Sequence, residues 1–248
     1  MKATIEICLS PALYPFRTTR GRHITAVIDI LRFTTSVVSA FDHGVKDVIP
    51  VESLEKAENL KKRGYPVAAE RDGLRLPFAE YGNSAADFRN PEIAGKTLVY
   101  STTNGTVAMK MAASDGPVVA TAFTNLPAVA QWLGAMNQPV VILCSAWKNL
   151  PGIEDTLCAG ALADLLIGEY DFTTSCDSAS MAISIWKQSK ERLLEVVENA
   201  SHYHRLLSLG VDPMLDYTLG IGVSPSVPVF ENEKLVNKTI PADFTPGD

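Results

Sequence analysis

The feature that most constrains this chain is an alternation. Short apolar runs recur from residue 24 to residue 144, and segments with helical spacing lie between them. Residues 24–30, Ile-Thr-Ala-Val-Ile-Asp-Ile, read as a strand covered on both faces, as in parallel sheets. A helix follows to about Asp42, with Thr34 or Thr35 as its N-cap and Gly44 as its stop. The pattern then repeats: strand 45–51 and helix 53–63 stopped by Gly64, strand 66–69 ending at Glu70, strand 97–101 and helix 107–113. Strand 118–121 with helix 126–136, and strand 140–144 with helix 153–167, complete it, and residues 3–8 suggest a first strand. Strands alternating with helices predict an α/β layered fold around a largely parallel sheet. Beyond residue 168 the texture becomes helical over 179–209, in two pieces or one bent one. Two short strands follow, 227–230 and 235–240, and the tail after Pro241 is expected to fray. No linker rich in Gly, Ser or Pro divides the chain, so its 248 residues read as a single α/β domain with a helical C-terminal portion.

Composition excludes several partners. The net charge is −6 and no basic face is visible, which argues against nucleic acid or an anionic membrane. No apolar run approaches the ~20 residues of a membrane span. Glu6 falls where a signal peptide would need an apolar core, so a cytoplasmic protein is expected. Cys8, Cys144, Cys158 and Cys176 form no C-x-x-C pair and read as small core residues. The loop 11–22, with Arg17, Arg20 and Arg22, reads as a solvated turn.

The strand 97–101 breaks into Thr102-Thr103-Asn104-Gly105-Thr106 and opens a helix at once. A helix N-terminus offers unpaired N–H groups and partial positive charge, the hydroxyls add donors, and Gly105 lets the backbone turn and approach a ligand. A plain helix cap needs one such residue, and here five surround one glycine. Asp29, at the end of an apolar strand, is costly to bury unless it is paired or binds a metal. Glu70, Glu154 and Asp155 add carboxylates at other strand ends or helix starts, a donor set that suits Mg²⁺. Glu154 and Asp155 also suit a helix N-terminus electrostatically. His202 and His204, two apart, share no helix face and read as part of a polar surface with one ring packed inside.

Several chemistries are excluded. Gly95-Lys96-Thr97 resembles the end of a P-loop, but residue 90 is Asn and the triplet precedes a strand. There is no G-x-S-x-G elbow. Gly220-Ile221-Gly222 lacks the third glycine of a dinucleotide loop, and no cysteine is followed by an arginine six residues later. Asp29 has Leu31 two residues on, so the paired aspartates of aspartyl-phosphate enzymes are missing.

The order of the motifs resembles the 2-phosphosulfolactate phosphatase (ComB) family. The matching stretches are Val27 to Thr35, Val48 to Val51, Ala69-Glu70-Arg71-Asp72-Gly73, Gly82-Asn83-Ser84, Gly95-Lys96 with Thr102 to Thr106, Glu154-Asp155 with Cys158-Ala159-Gly160, and His202 with Arg205-Leu206. They span about residues 24–230. The chain departs from the family pattern at Ala69, at Ala85, and in the loop 145–153, which borders the expected pocket.

The resemblance implies a three-layer α/β/α sandwich with a largely parallel or mixed sheet. It also implies a Mg²⁺-dependent hydrolase that takes phosphate from 2-phosphosulfolactate, a step on a route to coenzyme M. Asp29, Arg32, Glu154 and Asp155 are the candidate catalytic residues, and Asp29, Glu70 and Asp155 the candidate metal ligands. Thr34, Arg71, Asn83, Ser84, Thr102, Thr103, Asn104, Gly105, Thr106, Asn125 and Lys148 are the candidate substrate contacts. The expected partner is a small anionic phosphorylated substrate, and a homodimer is left open. Three alternatives stand beside this reading: a phosphatase for another phosphorylated hydroxy acid, a non-catalytic anion-binding relative, and an isomerase or lyase on a similar scaffold.

Overall fold

In the computed structural model, which describes residues 2–238, the alternation becomes a ten-stranded sheet with helices on both faces. β1 (Ile5–Cys8), β2 (Ile24–Ile28) and α1 (Phe33–Asp42) open the chain. β3 (Asp47–Pro50) with α2 (Leu54–Lys62), β4 (Val67–Arg71) with β5 (Leu74–Arg75), and β6 (Thr97–Ser101) with α3 (Gly105–Ala113) follow. Next come β7 (Val118–Thr121) with α4 (Leu126–Met136) and β8 (Val140–Cys144) with α5 (Ile153–Glu169). α6 (Asp177–Ser189), α7 (Leu193–Glu198), α8 (Ser201–Ser208) and α9 (Leu215–Thr218) lead to β9 (Val227–Glu231) and β10 (Lys234–Lys238).

The strand order is β1-β8-β2-β7-β9-β10-β3-β6-β4-β5. β1, β8, β2 and β7 pair in parallel, as do β3, β6 and β4. The C-terminal hairpin β9–β10 lies between these two groups, antiparallel to β7 on one side and to β3 on the other. The sheet is therefore mixed at its centre. Asn232 and Glu233 both have positive φ, as a two-residue hairpin turn requires.

The joint between the halves is narrow, with one register pair, Leu235 with Val48, connecting β10 to β3. β2 and β6 stand five places apart, about 24 Å in a flat sheet at ~4.8 Å per strand. Yet α3, which follows β6, packs on β2, and Val27, Phe33, Tyr100 and Met109 share one core. The sheet thus curls around α1 and α3. α4, α5 and α6 cover the outer face of the β1–β7 half, and α2 covers that of β3, β6 and β4. This curl brings the ends of β2, β4 and β6 to one place.

Several elements differ from the sequence expectation. β2 stops at Ile28, and Arg32, not a threonine, holds the N-cap position of α1. Residues 179–209 form three α-helices, with an extended Ala200 (φ −71°, ψ 140°) separating α7 from α8. The loop 11–22 contains a 3₁₀ turn, Pro11–Phe16, and Arg17 is not solvated. Its guanidinium lies 4.1 Å from the Tyr14 ring and pairs with Asp115 at 2.5 Å. Cys8, Cys144 and Cys158 are buried, and burial pushes all three thiols up, Cys8 to about 12. Among the described residues no helix is long and apolar enough to cross a membrane. The expected frayed tail and the last two residues of the expected final strand lie outside the described residues.

Candidate active site

A cleft opens where β2, β4 and β6 end, bordered by Asp29, Arg32, Glu70, Thr102, Thr103 and Asn104. Asp29 follows β2 and is 8% exposed, and its Oδ1 accepts the Phe33 amide at 3.1 Å. Burial, reinforced by the Glu70 and Glu154 charges, raises its carboxyl to about 6 against the pull of the Phe33 amide and His202. Arg32 is buried beside it and donates from Nη2 to the Gly73 carbonyl at 2.7 Å. Burial is also the main cause that lowers the Arg32 pKa.

Glu70 holds two turns together. Its Oε1 accepts the Thr103 amide and its Oε2 the Gly73 amide, both at 2.7 Å. Asp72 and Gly73, at φ 53° and 93°, form the two-residue turn of the β4–β5 hairpin, where Asp-Gly is favoured. In the β6–α3 turn, Thr102 and Thr106 bond each other's amides through their hydroxyls, at 3.1 and 3.3 Å. The Asn104 amide has no partner among the described residues, and Asn104 lines the cleft just before α3. A free amide at a helix start, with the Thr102 and Thr103 turn beside it, favours an anion.

The fourth wall is C-terminal. His202 of α8 sits 3.1 Å from Glu154, Nδ1 to Oε1, and Glu154 Oε2 is buried without a partner among the described residues. A carboxylate at Nδ1 makes that nitrogen the donor and leaves Nε2 for the cleft, which His202 also lines. Arg205 donates to the Asp72 carbonyl at 2.6 Å. Trp147 lies between these two side chains, with its ring 6.4 Å from the His202 ring and 4.7 Å from the Arg205 guanidinium.

The structure gathers Asp29, Arg32, Glu70, Asn83, Thr102, Thr103 and Asn104 at the cleft, with Glu154 behind His202. It leaves other sequence-expected residues out. Both Asp155 oxygens accept amides, from Ile30 at 2.9 Å and Ala146 at 3.2 Å. Asp155 therefore ties the ends of β2 and β8 together and does not border the cleft; burial, with the Glu154 and Asp29 charges, raises its pKa well above the ordinary value. Asn125 is fully buried, capping Ala122 and donating to the Ala120 and Ser226 carbonyls. Arg71 turns to the Glu70 and Glu52 carbonyls and Ser101 Oγ. Ser84 caps a 3₁₀ turn, and Lys148 is exposed on the far side of the Thr103–Asn104 turn. Thr106 is fully buried in its bond to Thr102. Gly105 is not at positive φ; a Cβ there would lie 2.4–2.5 Å from Phe33 side-chain atoms, so ring packing and not a sharp turn demands the glycine.

Thr34 is structural too. Its hydroxyl accepts the Asp29 amide and donates to the Asp29 carbonyl, both at 2.9 Å. Thr34→Val leaves that buried amide unbonded, and a loss of about 1–3 kcal/mol of stability is expected. Urea unfolding measures it, and an unchanged midpoint would place Thr34 outside the scaffold.

Comparison with known proteins finds relatives along most of the chain. The family model for 2-phosphosulpholactate phosphatase matches residues 8–233. The chain belongs to that family. It is 31% identical over 215 residues to a probable 2-phosphosulfolactate phosphatase of Thermotoga maritima, covering 87% of this chain and 92% of the relative. A protein of the same name from Clostridium tetani is 31% identical over 210 residues, 83% of this chain and 88% of the relative. One from Symbiobacterium thermophilum is 28% identical over 217 residues, 86% and 93% of the two chains.

Among the residues that line this family member's cleft, Trp147, His202 and Arg205 were not expected from the sequence as site residues. His202 and Arg205 lie in a stretch that resembles the family, which was the available signal, but spacing on an eight-residue helix says nothing about a partner 48 positions away.

As to a metal, no group of three His, Cys, Asp or Glu side chains among the described residues is able to hold an ion alone. Asp29 and Glu70 both border the cleft and repel each other. Mg²⁺ is commonly held by one or two carboxylates together with substrate phosphate, so this pair fits it.

Proposed function

We propose that this protein is a phosphoric monoester hydrolase that converts 2-phosphosulfolactate to sulfolactate and phosphate with Mg²⁺, a reaction of the coenzyme M type of route. The observation that carries the reading is the convergence of an anion-favouring helix start, two buried arginine-facing carboxylates and a carboxylate-held histidine in one narrow cleft. Names of the relatives support the same chemistry.

Asp29 and Glu70 would hold the cation, which when bound supplies positive charge beside the phosphoryl oxygens. The free amide of Asn104 receives a remaining oxygen, and Arg32 adds fixed charge where negative charge develops. Glu154 orients His202. Nε2 then takes a proton from the attacking water or returns one to the departing alkoxide oxygen. Arg205 offers its guanidinium to the substrate's acid groups.

The reading is tested by phosphate release from 2-phosphosulfolactate with Mg²⁺ and with chelator. His202→Asn is expected to lower kcat by about 10²–10⁴-fold, with KM changed little. Product formed without free phosphate would reassign the reaction, and a variant with full kcat would remove His202 from it.

A further inference from the structure

Trp147 lines the cleft but has no part in the chemistry above. The chain builds a turn to present it. The Ser145 amide donates to the Ile28 carbonyl at 2.7 Å and the Ala146 amide to Asp155 at 3.2 Å, so the loop leaves β8 tied to β2 and α5. Trp147 and Leu150 then exchange backbone hydrogen bonds, at 3.2 and 2.9 Å, around Lys148 and Asn149 at φ 52° and 62°. Two left-handed residues between such a pair make a tight hairpin turn, which fixes the backbone that carries the indole. Three side chains meet that ring. The His202 ring is stacked on it at 22°, with centroids 6.4 Å apart, inside the range of offset aromatic pairs. The Arg205 guanidinium and the Lys148 ammonium each lie 4.7 Å from its centroid, a distance at which an indole face attracts cations. The stack supplies a restraint that the Glu154 bond does not. One hydrogen bond at Nδ1 holds that nitrogen but leaves the imidazole free to swing about the bond. A ring against its face removes the swing and aims Nε2. Arg205, bonded to the Asp72 carbonyl at 2.6 Å, rests on the same indole.

We propose that Trp147 is a positioning residue of this site, whose indole sets the plane of the His202 ring and the place of the Arg205 guanidinium together. The proposal rests on the phosphatase reading above and deepens it. Trp147 moves no proton itself. It acts through His202 on the proton-transfer step and through Arg205 on substrate binding, so the two effects separate in kcat and KM.

The test uses the full chain with Mg²⁺ and 2-phosphosulfolactate. Trp147→Leu, which keeps an apolar side chain but no ring, is expected to lower kcat by roughly 10–10²-fold, the scale of a misplaced reacting group. KM should rise by about two- to five-fold as Arg205 loses the ring beneath it. Trp147→Phe restores a ring face and should recover most of kcat. The same substitutions in a His202→Asn background decide the cause. There Trp147→Leu should change kcat by less than about three-fold, because a base that is absent has no aim to lose. An equal loss in both backgrounds, or a Trp147→Phe variant as slow as Trp147→Leu, would mean a general disturbance of the loop and overturn the proposal. Wild type that releases no phosphate would overturn the phosphatase reading instead. The His202 ring protons, assigned by their loss from the NMR spectrum of His202→Asn, then decide the placement alone. An upfield displacement by the indole in wild type, kept in Trp147→Phe and lost in Trp147→Leu, supports the hold on His202; positions equal in wild type and Trp147→Leu overturn it.

Discussion

Replacing Asp29 with asparagine is expected to stabilise the metal-free protein while removing at least about 10³-fold of its activity, the range for loss of a group that holds transition-state charge. The two effects share one cause. Asp29 is buried, and its carboxyl is raised from 3.8 to about 6 mainly by that burial. A folded-state value above the unfolded one means that the native protein holds this proton more tightly. The contribution is fully present below about pH 4 and is lost as pH rises through 4 to about 6. Above pH 6 the ionised group costs about 3 kcal/mol at 1.36 kcal/mol per pH unit. Asparagine keeps an oxygen for the Phe33 amide and carries no charge to desolvate, but it is a poor partner for a hard cation. In chelator at pH 7.5 the variant should melt higher than wild type, and the difference should shrink by pH 4.5. A variant that melts lower, or one that keeps wild-type turnover at limiting Mg²⁺, would show that Asp29 serves the fold and not the chemistry.

The second large effect is expected at Gly105. An added Cβ would stand 2.4–2.5 Å from the Cβ, Cγ and Cδ1 atoms of Phe33, and Phe33 has nowhere to go. It is fully buried and packs edge-to-face on Tyr100 with ring centroids 5.2 Å apart. Overpacking of this kind typically costs about 1–3 kcal/mol for alanine, and more for a branched side chain. Because the Phe33 amide bonds Asp29, displacing the ring also moves the carboxylate, so Gly105→Val should lose activity as well as stability. A double-mutant cycle decides the cause. Phe33→Leu should relieve a large part of the Gly105→Ala penalty, giving a coupling energy of about 1 kcal/mol or more. Additive effects would mean that the glycine is needed for ligand approach, as the sequence alone suggests.

Local pattern determined much of this protein. Both-face burial of residues 24–28, the glycine stops at Gly44 and Gly64, and the polar break after Ser101 were legible because each is fixed by neighbours within a few residues. They yield the α/β class and direct attention to Asp29, Glu70 and the 102–106 turn. Only tertiary structure decided what those residues face. The insertion of β9–β10 at the sheet centre depends on pairing between segments more than 100 residues apart, which no local propensity encodes. Packing sets α8 against Glu154, making His202 a site residue while its neighbour His204 remains exposed. Packing also buries Asp155 and Asn125 among backbone groups that they satisfy, Asp155 at the ends of the paired strands β2 and β8. Residue type offered the same polar side chains to both fates; which of them meets a backbone amide and which meets the cleft is a matter of packing, and packing is set by the whole chain.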